Sequence, residues 1–179
     1  PVKRQELFRA LAQTVGEALP EQAATATTDR SQQVSFKARV LLAEDNGVNQ
    51  VVARNMLKAL GCEHVIVKNG AEALEAVQQG GFDMVLMDCQ MPVMDGFAAT
   101  RAIRRWEKDR ELDTGRATRL PVVALTANAL VGDAQLCLDS GMDDHLAKPY
   151  TRQQLRNILV RWLPPALVEN SEDDAAGGA

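Results

Sequence analysis

Polar residues able to do chemistry stand where four short apolar runs end: the acid pair Glu44-Asp45 after 40–43, Asp88 after 84–87, Thr126 after 121–125 and Lys148 after 145–147. Three carboxylates brought to one place repel each other by about 4 kcal/mol per pair at about 4 Å, taking an effective dielectric near 20. Such a group demands positive charge. Lys148 supplies one unit and a hard divalent cation would supply the rest; oxygen-only ligands at a hydrated edge favour Mg²⁺ over zinc. A carboxylate beside such an ion, with an ammonium and a hydroxyl at hand, is equipped to attack phosphorus and hold the resulting acyl phosphate. Asp88 is the nucleophile in this reading, and Lys148 and Thr126 take the phosphoryl oxygens. The Thr126 hydroxyl gains its bond only once phosphate is present, so that contact can bias a switch.

These residues need a scaffold that delivers four strand ends to one edge. The run at 84–87 has turn signals on both sides and reads as a strand buried on both faces, the habit of parallel sheets. Pro92 and Gly96 stiffen the loop after it. From Ala38 onward such runs alternate with helical patterns. A strand at 40–43 precedes Val48, Val52, Met56 and Leu60 at four-residue spacing, stopped by Gly61; a strand at 65–67 precedes a helix from Asn69-Gly70 through Leu74 and Val77 to Gly80-Gly81. Phe97, Ile103 and Trp106 mark a third helix capped by Asp95, followed by a polar loop at 108–119 and a strand at 121–125. Leu130, Ala134 and Leu138 mark a helix closed by Gly141. A short strand at 145–147 and a helix through Leu155, Ile158, Leu159 and Trp162 end at Pro164-Pro165. Five βα units with right-handed crossovers predict a flavodoxin-like, doubly wound five-stranded parallel sheet of order 2-1-3-4-5 with helices on both faces. In that order the first and third strands are neighbours, and Glu44-Asp45 faces Asp88 across the switch point.

The remaining sequence bounds the reading. In 179 residues, with 46% apolar and 25% charged, there is room for one such domain and flanking segments. Leu7, Leu11, Val15 and Leu19 with Phe8 and Ala12 predict one extra amphipathic helix over 1–19, 20–37 has linker composition, the domain occupies 38–163, and 164–179 is a mobile acidic tail. No apolar run reaches the roughly 20 residues of a membrane span, so no direct membrane contact is expected. A net charge of −4 argues against nucleic acid as partner. The basic run Arg101, Arg104, Arg105, Lys108 and Arg110 alternates with apolar residues and reads as a solvated helix face. Cys62, Cys89 and Cys137 are widely spaced in apolar sequence and read as buried thiols in a reducing compartment.

With the acid pair, the motif Asp88 with Met91-Pro92-Val93-Met94-Asp95-Gly96, the strand end Ala124-Leu125-Thr126-Ala127, and Lys148-Pro149 in order, the stretch from Ala38 to Leu163 resembles the receiver (response regulator) domain of two-component signalling. The wording Glu44-Asp45-Asn46-Gly47-Val48-Asn49-Gln50 and Leu125-Thr126-Ala127-Asn128-Ala129 is most similar to the C-terminal receivers of hybrid sensor histidine kinases. The resemblance implies that Asp88 accepts phosphate from a phosphohistidine. It implies Mg²⁺ on Asp45, Asp88 and the backbone carbonyl of Gln90, with Glu44 helping through water. Thr126 and Lys148 would contact the phosphoryl group, and the Lys148-Pro149 bond would be cis. Gln90 and Asn128 would flank the hydrolytic water and tune dephosphorylation. The switch would pair Thr126 with His145, where the family usually has Tyr or Phe; this departure leaves the output half of the switch open.

The partners implied are a histidine kinase transmitter domain, which a hybrid parent carries in the same chain, and a histidine phosphotransfer protein, in the cytoplasm. Residues 1–11 echo 149–159, matching at Pro, Arg, Gln and both leucines, so the first helix reads as the last helix of a preceding receiver-like domain and as a route to dimerisation. Two other functions compete. A haloacid-dehalogenase-like phosphatase also uses Asp, Thr, Lys and Mg²⁺, but wants a second Asp where Gln90 stands. A non-switching interaction module would have lost an acid, Thr126 or Lys148, and none is lost.

Overall fold

The computed structural model describes residues 34–115, 119–127 and 131–170. Among the described residues the strands are β1 (Val34–Phe36), β2 (Arg39–Ala43), β3 (Glu63–Val67), β4 (Met84–Asp88), β5 (Val122–Thr126), β6 (Asp144–Ala147) and β7 (Val168–Asn170). The helices are α1 (Gly47–Ala59), α2 (Gly70–Gln79), α3 (Gly96–Thr114), α4 (Val131–Asp139) and α5 (Arg152–Trp162). Five strands form one sheet in the order β3-β2-β4-β5-β6, every pairing parallel. Numbered from β2, this is the expected order 2-1-3-4-5.

Side-chain alternation along the strands builds a core on each face. Val40 and Leu42 of β2 join Leu86, Leu125, Ala53, Leu57, Leu155 and Leu159 in one layer, beneath α1 and α5. Leu41 and Ala43 join Val85, Met87, Ala124, Ala73, Ile103 and Cys137 in the other, beneath α2, α3 and α4. All five residues of β4 are buried, so the strand that ends in Asp88 is the central strand of the sheet in packing as well as in order. Among the described residues no helix is long and apolar enough to cross a membrane.

Four sequence expectations change. Val48 and Val52 are not core: they are 72% and 45% exposed, while Ala53 and Leu57 carry the buried face of α1. A four-residue repeat advances about 40° further per step than a helical turn, so a stripe that meets the core at Leu60 has rotated to solvent by Val48. The polar loop at 108–119 is helical as far as Thr114, because Lys108 to Leu112 are adequate helix formers that need no buried face once past the sheet. Arg104 is no solvated charge; its side chain is 13% exposed.

The fourth change lies at the domain borders. Val34–Phe36, placed in the linker, pairs antiparallel with Val168–Asn170, placed in the acidic tail. Phe36 is 1% exposed and joins the α1 and α5 layer, and its N–H donates to Leu60 O at 2.9 Å. Three-residue strands are too short for periodicity to register. Residues 1–19, on which the extra helix and its echo rest, lie outside the described residues, as does Asn128.

Candidate functional site

Asp88 is the last residue of β4 and is 7% exposed. Its Oδ1 accepts the Gln90 N–H at 3.2 Å and its Oδ2 accepts from Lys148 Nζ at 2.7 Å. The same ammonium donates to Glu44 Oε2 at 2.6 Å, so Lys148 bridges the ends of β2 and β4. Its own place is set from β6: Lys148 N–H donates to Thr126 O at 2.7 Å, and the Lys148–Pro149 peptide that follows is cis. Thr126, at the end of β5, is 3% exposed.

Glu44 is 1% exposed and is held from every side. Oε1 accepts Asn46 N–H at 3.2 Å and Asn49 Nδ2 at 3.0 Å, while the Glu44 carbonyl accepts Gln50 Nε2 at 2.6 Å. These donors come from the first turn of α1, which Asn46 caps by accepting from Val48 and Asn49 N–H. Asp45, between these fixed points, is exposed. One oxygen each of Glu44, Asp45 and Asp88 lies within 4.8 Å of the others.

The loop after Asp88 is pinned as tightly. A Cβ on Gly96 would collide with the Asp88 carbonyl oxygen, so only glycine lets α3 begin there. Gly96 N–H donates to Cys89 O at 3.1 Å, Gly70 N–H to Met94 O at 2.9 Å, and Asp95 caps α3 by accepting Ala98 N–H at 2.7 Å.

Among the described residues the cluster is short of cations: three carboxylates lie together and one ammonium, Lys148, bonds two of them. Burial pushes the Asp88 carboxyl above the ordinary range, against the pull of Lys148, and the Glu44 charge adds to the rise. Lys148 loses some basicity to burial, but its bonds to Asp88 and Glu44 more than restore it and hold it above the usual lysine range. Tyr150 is pushed up to about 12 by burial and by the charges of Glu44 and Asp88. It lines a cavity of about 140 Å³ with Asn49, Val52, Lys148 and Pro149, next to the acids. An all-oxygen donor set with excess negative charge and one exposed member fits a hard divalent cation.

The structure thus brings Glu44, Asp45, Asp88 and Lys148 together, with Thr126 at the same edge. Gln90 is exposed and meets the site through its backbone N–H. His145 is also exposed; its N–H donates to Asp144 Oδ1 at 2.8 Å. The structure adds Asn49, Gln50 and Tyr150 to this edge, none of them among the sequence-predicted site residues. Their signal was position: Asn49 and Gln50 fall in the helical turn after the acid pair, and Tyr150 follows Lys148-Pro149.

Residues 40–160 match the family model of the response regulator receiver domain. Sensor protein GacS of Pseudomonas syringae is 46% identical over 129 residues, 72% of this chain. The chain spans only 14% of that relative's length. Among solved structures, the receiver domain of sensor histidine kinase PA1611 from Pseudomonas aeruginosa, with a magnesium ion coordinated in its active site cleft, is 46% identical. That likeness covers 70% of this chain and 97% of that one with a TM-score of 0.62. The receiver domain of yeast Ssk1, solved with the phosphotransfer protein Ypd1 of Saccharomyces cerevisiae, is 32% identical over 72% of this chain and 90% of that one, TM-score 0.67. With its sheet order, its acid cluster and these likenesses taken together, the chain belongs to the response regulator receiver domains of two-component signalling, and its relatives are the receivers of hybrid sensor histidine kinases.

Proposed function

We propose that Asp88 takes a phosphoryl group from a phosphohistidine and passes it on within a phosphorelay. The observation that carries this reading is the Lys148 ammonium, shared at 2.6 and 2.7 Å between Glu44 and the strand-end carboxylate of Asp88. An Asp88 oxygen attacks phosphorus, the P–N bond breaks and the imidazole leaves with its electron pair, giving an acyl phosphate. Lys148 then exchanges a carboxylate for a phosphoryl oxygen, and the Thr126 hydroxyl takes another. Asp45, Asp88 and the Gln90 carbonyl would hold Mg²⁺, with Glu44 acting through water; the ion supplies charge neutralisation on the phosphoryl oxygens. Gln90 and Asn128 tune the lifetime of the acyl phosphate. His145 stands where the switch needs a second member, and its exposure suits a readout at the surface.

The partners of this reading are a transmitter domain and a histidine phosphotransfer protein. Beside the site Val48, Val51 and Val52 are 72%, 44% and 45% exposed, an apolar strip of α1 that suits docking of a partner helix over Asp88. The parent in this reading is a hybrid sensor kinase whose receiver faces the cytoplasm.

Intact-mass spectrometry after incubation with Mg²⁺ and a small phosphoramidate or acyl phosphate tests the reading. One base-labile adduct of about 80 Da is expected on wild type and none on Asp88→Asn. Failure of wild type to label, where an authentic receiver labels, leaves an interaction module. Continuous turnover of phosphate esters instead indicates a phosphatase.

A further inference from the structure

Next to the acids lies a chemical pair that phosphoryl transfer does not use. Cys89, the residue after Asp88, and Cys137 of α4 bring their Sγ atoms to 3.9 Å, and both are buried, at 6% and 1% exposure. Cys62, the third free thiol, belongs to the opposite core layer, under α1 and α5. The two sulfurs touch without being bonded, since a disulfide requires about 2.05 Å. Closing the gap brings the sulfurs nearer by about 1.9 Å, from the 3.9 Å at which they stand.

The anchors of the two cysteines decide which backbone moves. On one side the Cys89 N–H donates to Leu125 O at 3.2 Å, its carbonyl accepts Gly96 N–H at 3.1 Å, and Gly96 leaves no room against Asp88. Cys89 is therefore part of the sheet's fixed centre. On the other side Cys137 rides on α4, whose end is tied by Ser140 Oγ and Met142 N–H donating to the Cys137 carbonyl at 2.7 and 3.0 Å. Those bonds are local to the helix end and travel with it. The approach falls on α4, the helix that follows Thr126 in the chain.

We propose that Cys89 and Cys137 are an oxidisable pair that closes into an intramolecular disulfide, tethering α4 to the residue beside the phosphoacceptor and slowing phosphate uptake. The oxidant is a peroxide. One thiolate attacks the peroxide oxygen, the O–O bond breaks, and a sulfenic acid forms with release of one water; the second thiol displaces the sulfenic oxygen as another water. Two electrons pass from the two sulfurs to hydrogen peroxide, and the two thiol protons leave in the waters. The effect on phosphate uptake rests on the role proposed for Asp88; formation of the disulfide does not.

The test uses the full chain, reduced, exposed to hydrogen peroxide, and quenched by an alkylating reagent. The expected product is a monomer lighter by about 2 Da, with Cys62 alone alkylated, a cross-linked peptide joining Cys89 to Cys137, and full reversal by dithiothreitol. Cys137→Ser and Cys137→Ala should both lack that product. Oxygen addition without the 2 Da loss, or a link made by Cys62 or between chains, overturns the pair. Phosphate labelling of the oxidised chain should be several-fold slower than that of the same sample after reduction, and labelling of Cys137→Ser should not respond to peroxide. Equal rates in oxidised and re-reduced protein overturn the gating. A reduced chain that takes no phosphate at all sinks the role of Asp88 instead, while the mass measurement still decides the disulfide.

Discussion

At the amino ends of β5 and β6, Arg104 donates to Glu107 Oε2, Asp143 Oδ2 and the carbonyls of Leu120 and Gly141, all at 2.6 to 2.9 Å. Arg119 adds two bonds to Asp143, while Leu120 N–H donates to Glu107 and Val122 N–H to Asp143. Two arginines meet two acids; Leu120 N–H takes the Glu107 oxygen the arginines leave, and Val122 N–H shares Asp143 Oδ2 with Arg104. At the carboxyl ends of β2 and β4, three carboxylates cluster and, among the described residues, Lys148 bonds two of them, Glu44 and Asp88. The same sheet therefore carries one charge cluster that is complete, at its amino edge, and one that is deficient, at its carboxyl edge. A neutral, fully bonded cluster holds structure; one short of cations is poised to receive a metal ion or to move charge. The ammonium at the deficient end spans two carboxylates, so an arriving phosphoryl group finds a donor already in place.

Breaking the complete end should have the largest effect. Arg104→Met leaves Glu107 and Asp143 buried without their main partner, and should cost about 3–5 kcal/mol by urea unfolding. Phosphate labelling well below the melting temperature should survive. Arg119 is 60% exposed on its side chain, and Arg119→Ala should cost only about 1 kcal/mol. A loss of labelling in folded Arg104→Met would show that the two ends are coupled rather than separate.

Completing the deficient end should stabilise. Mg²⁺ at a hundred times its dissociation constant should add about 2.7 kcal/mol to wild type, and clearly less to Asp88→Asn. Without metal, Asp88→Asn should unfold later than wild type, because the folded state disfavours the Asp88 charge. The pH dependence has the matching sign. A carboxyl raised on folding contributes stability that is present below the unfolded value near 3.9 and lost as pH rises through its folded pKa. Lys148 is also raised, so its contribution is complete below about 10.4 and lost as pH climbs past its folded value. Thermal melts across pH, with and without Mg²⁺, separate the two; a wild type indifferent to Mg²⁺ would deny the cation deficit.

Asp144, at the amino end of β6, supplies the opposite sign. Burial opposes its ionisation, but Trp162 Nε1, His145 N–H and Arg161 prevail and hold the carboxyl below the usual range. Its contribution is present above about 3.9 and lost as pH falls through the folded value. Since Arg161 is 64% exposed, Asp144→Asn should cost only about 1 kcal/mol, and should flatten the acid limb of a titration followed by Trp162 fluorescence. An unchanged acid limb would place the acid sensitivity elsewhere.

How much of this was legible in the sequence differs between the ends. The deficient end was readable because Glu44, Asp45, Asp88, Thr126 and Lys148 each follow an apolar run, so strand order alone assembles them. The complete end was not: Arg104 meets Asp143 across 39 residues, and nothing local distinguishes it from Arg101 or Arg105, which are exposed. Sheet order was likewise legible from repeated βα units, whereas β1 and β7 were hidden because three residues carry no period. Val48 and Val52 show a subtler failure. The spacing was right for a helix but the phase was wrong, and phase is set by which residue meets the sheet.

The smallest effect concerns how each end makes its tight turns. Near the amino ends of the strands the left-handed positions fall on glycine, as at Gly81 (φ 83°) and Gly141 (φ 93°). In the loop after Asp88 the left-handed position falls on Val93, at φ 69° and 88% exposed, a β-branched residue where that conformation costs roughly 1–2 kcal/mol. Val93→Gly relieves the strain but adds about 0.5–1 kcal/mol of unfolded-chain entropy. The difference leaves a net gain of about 0.5 kcal/mol, to be read as a small rise in urea midpoint. Asn, which tolerates the left-handed region with less entropy cost, should gain slightly more. If both substitutions destabilise, the Val93 side chain has a structural role despite its exposure. If both stabilise while phosphate labelling slows, the strained turn is part of what holds the Gln90 carbonyl and the Asp88 edge in working order, and the deficient end stores conformational as well as electrostatic energy.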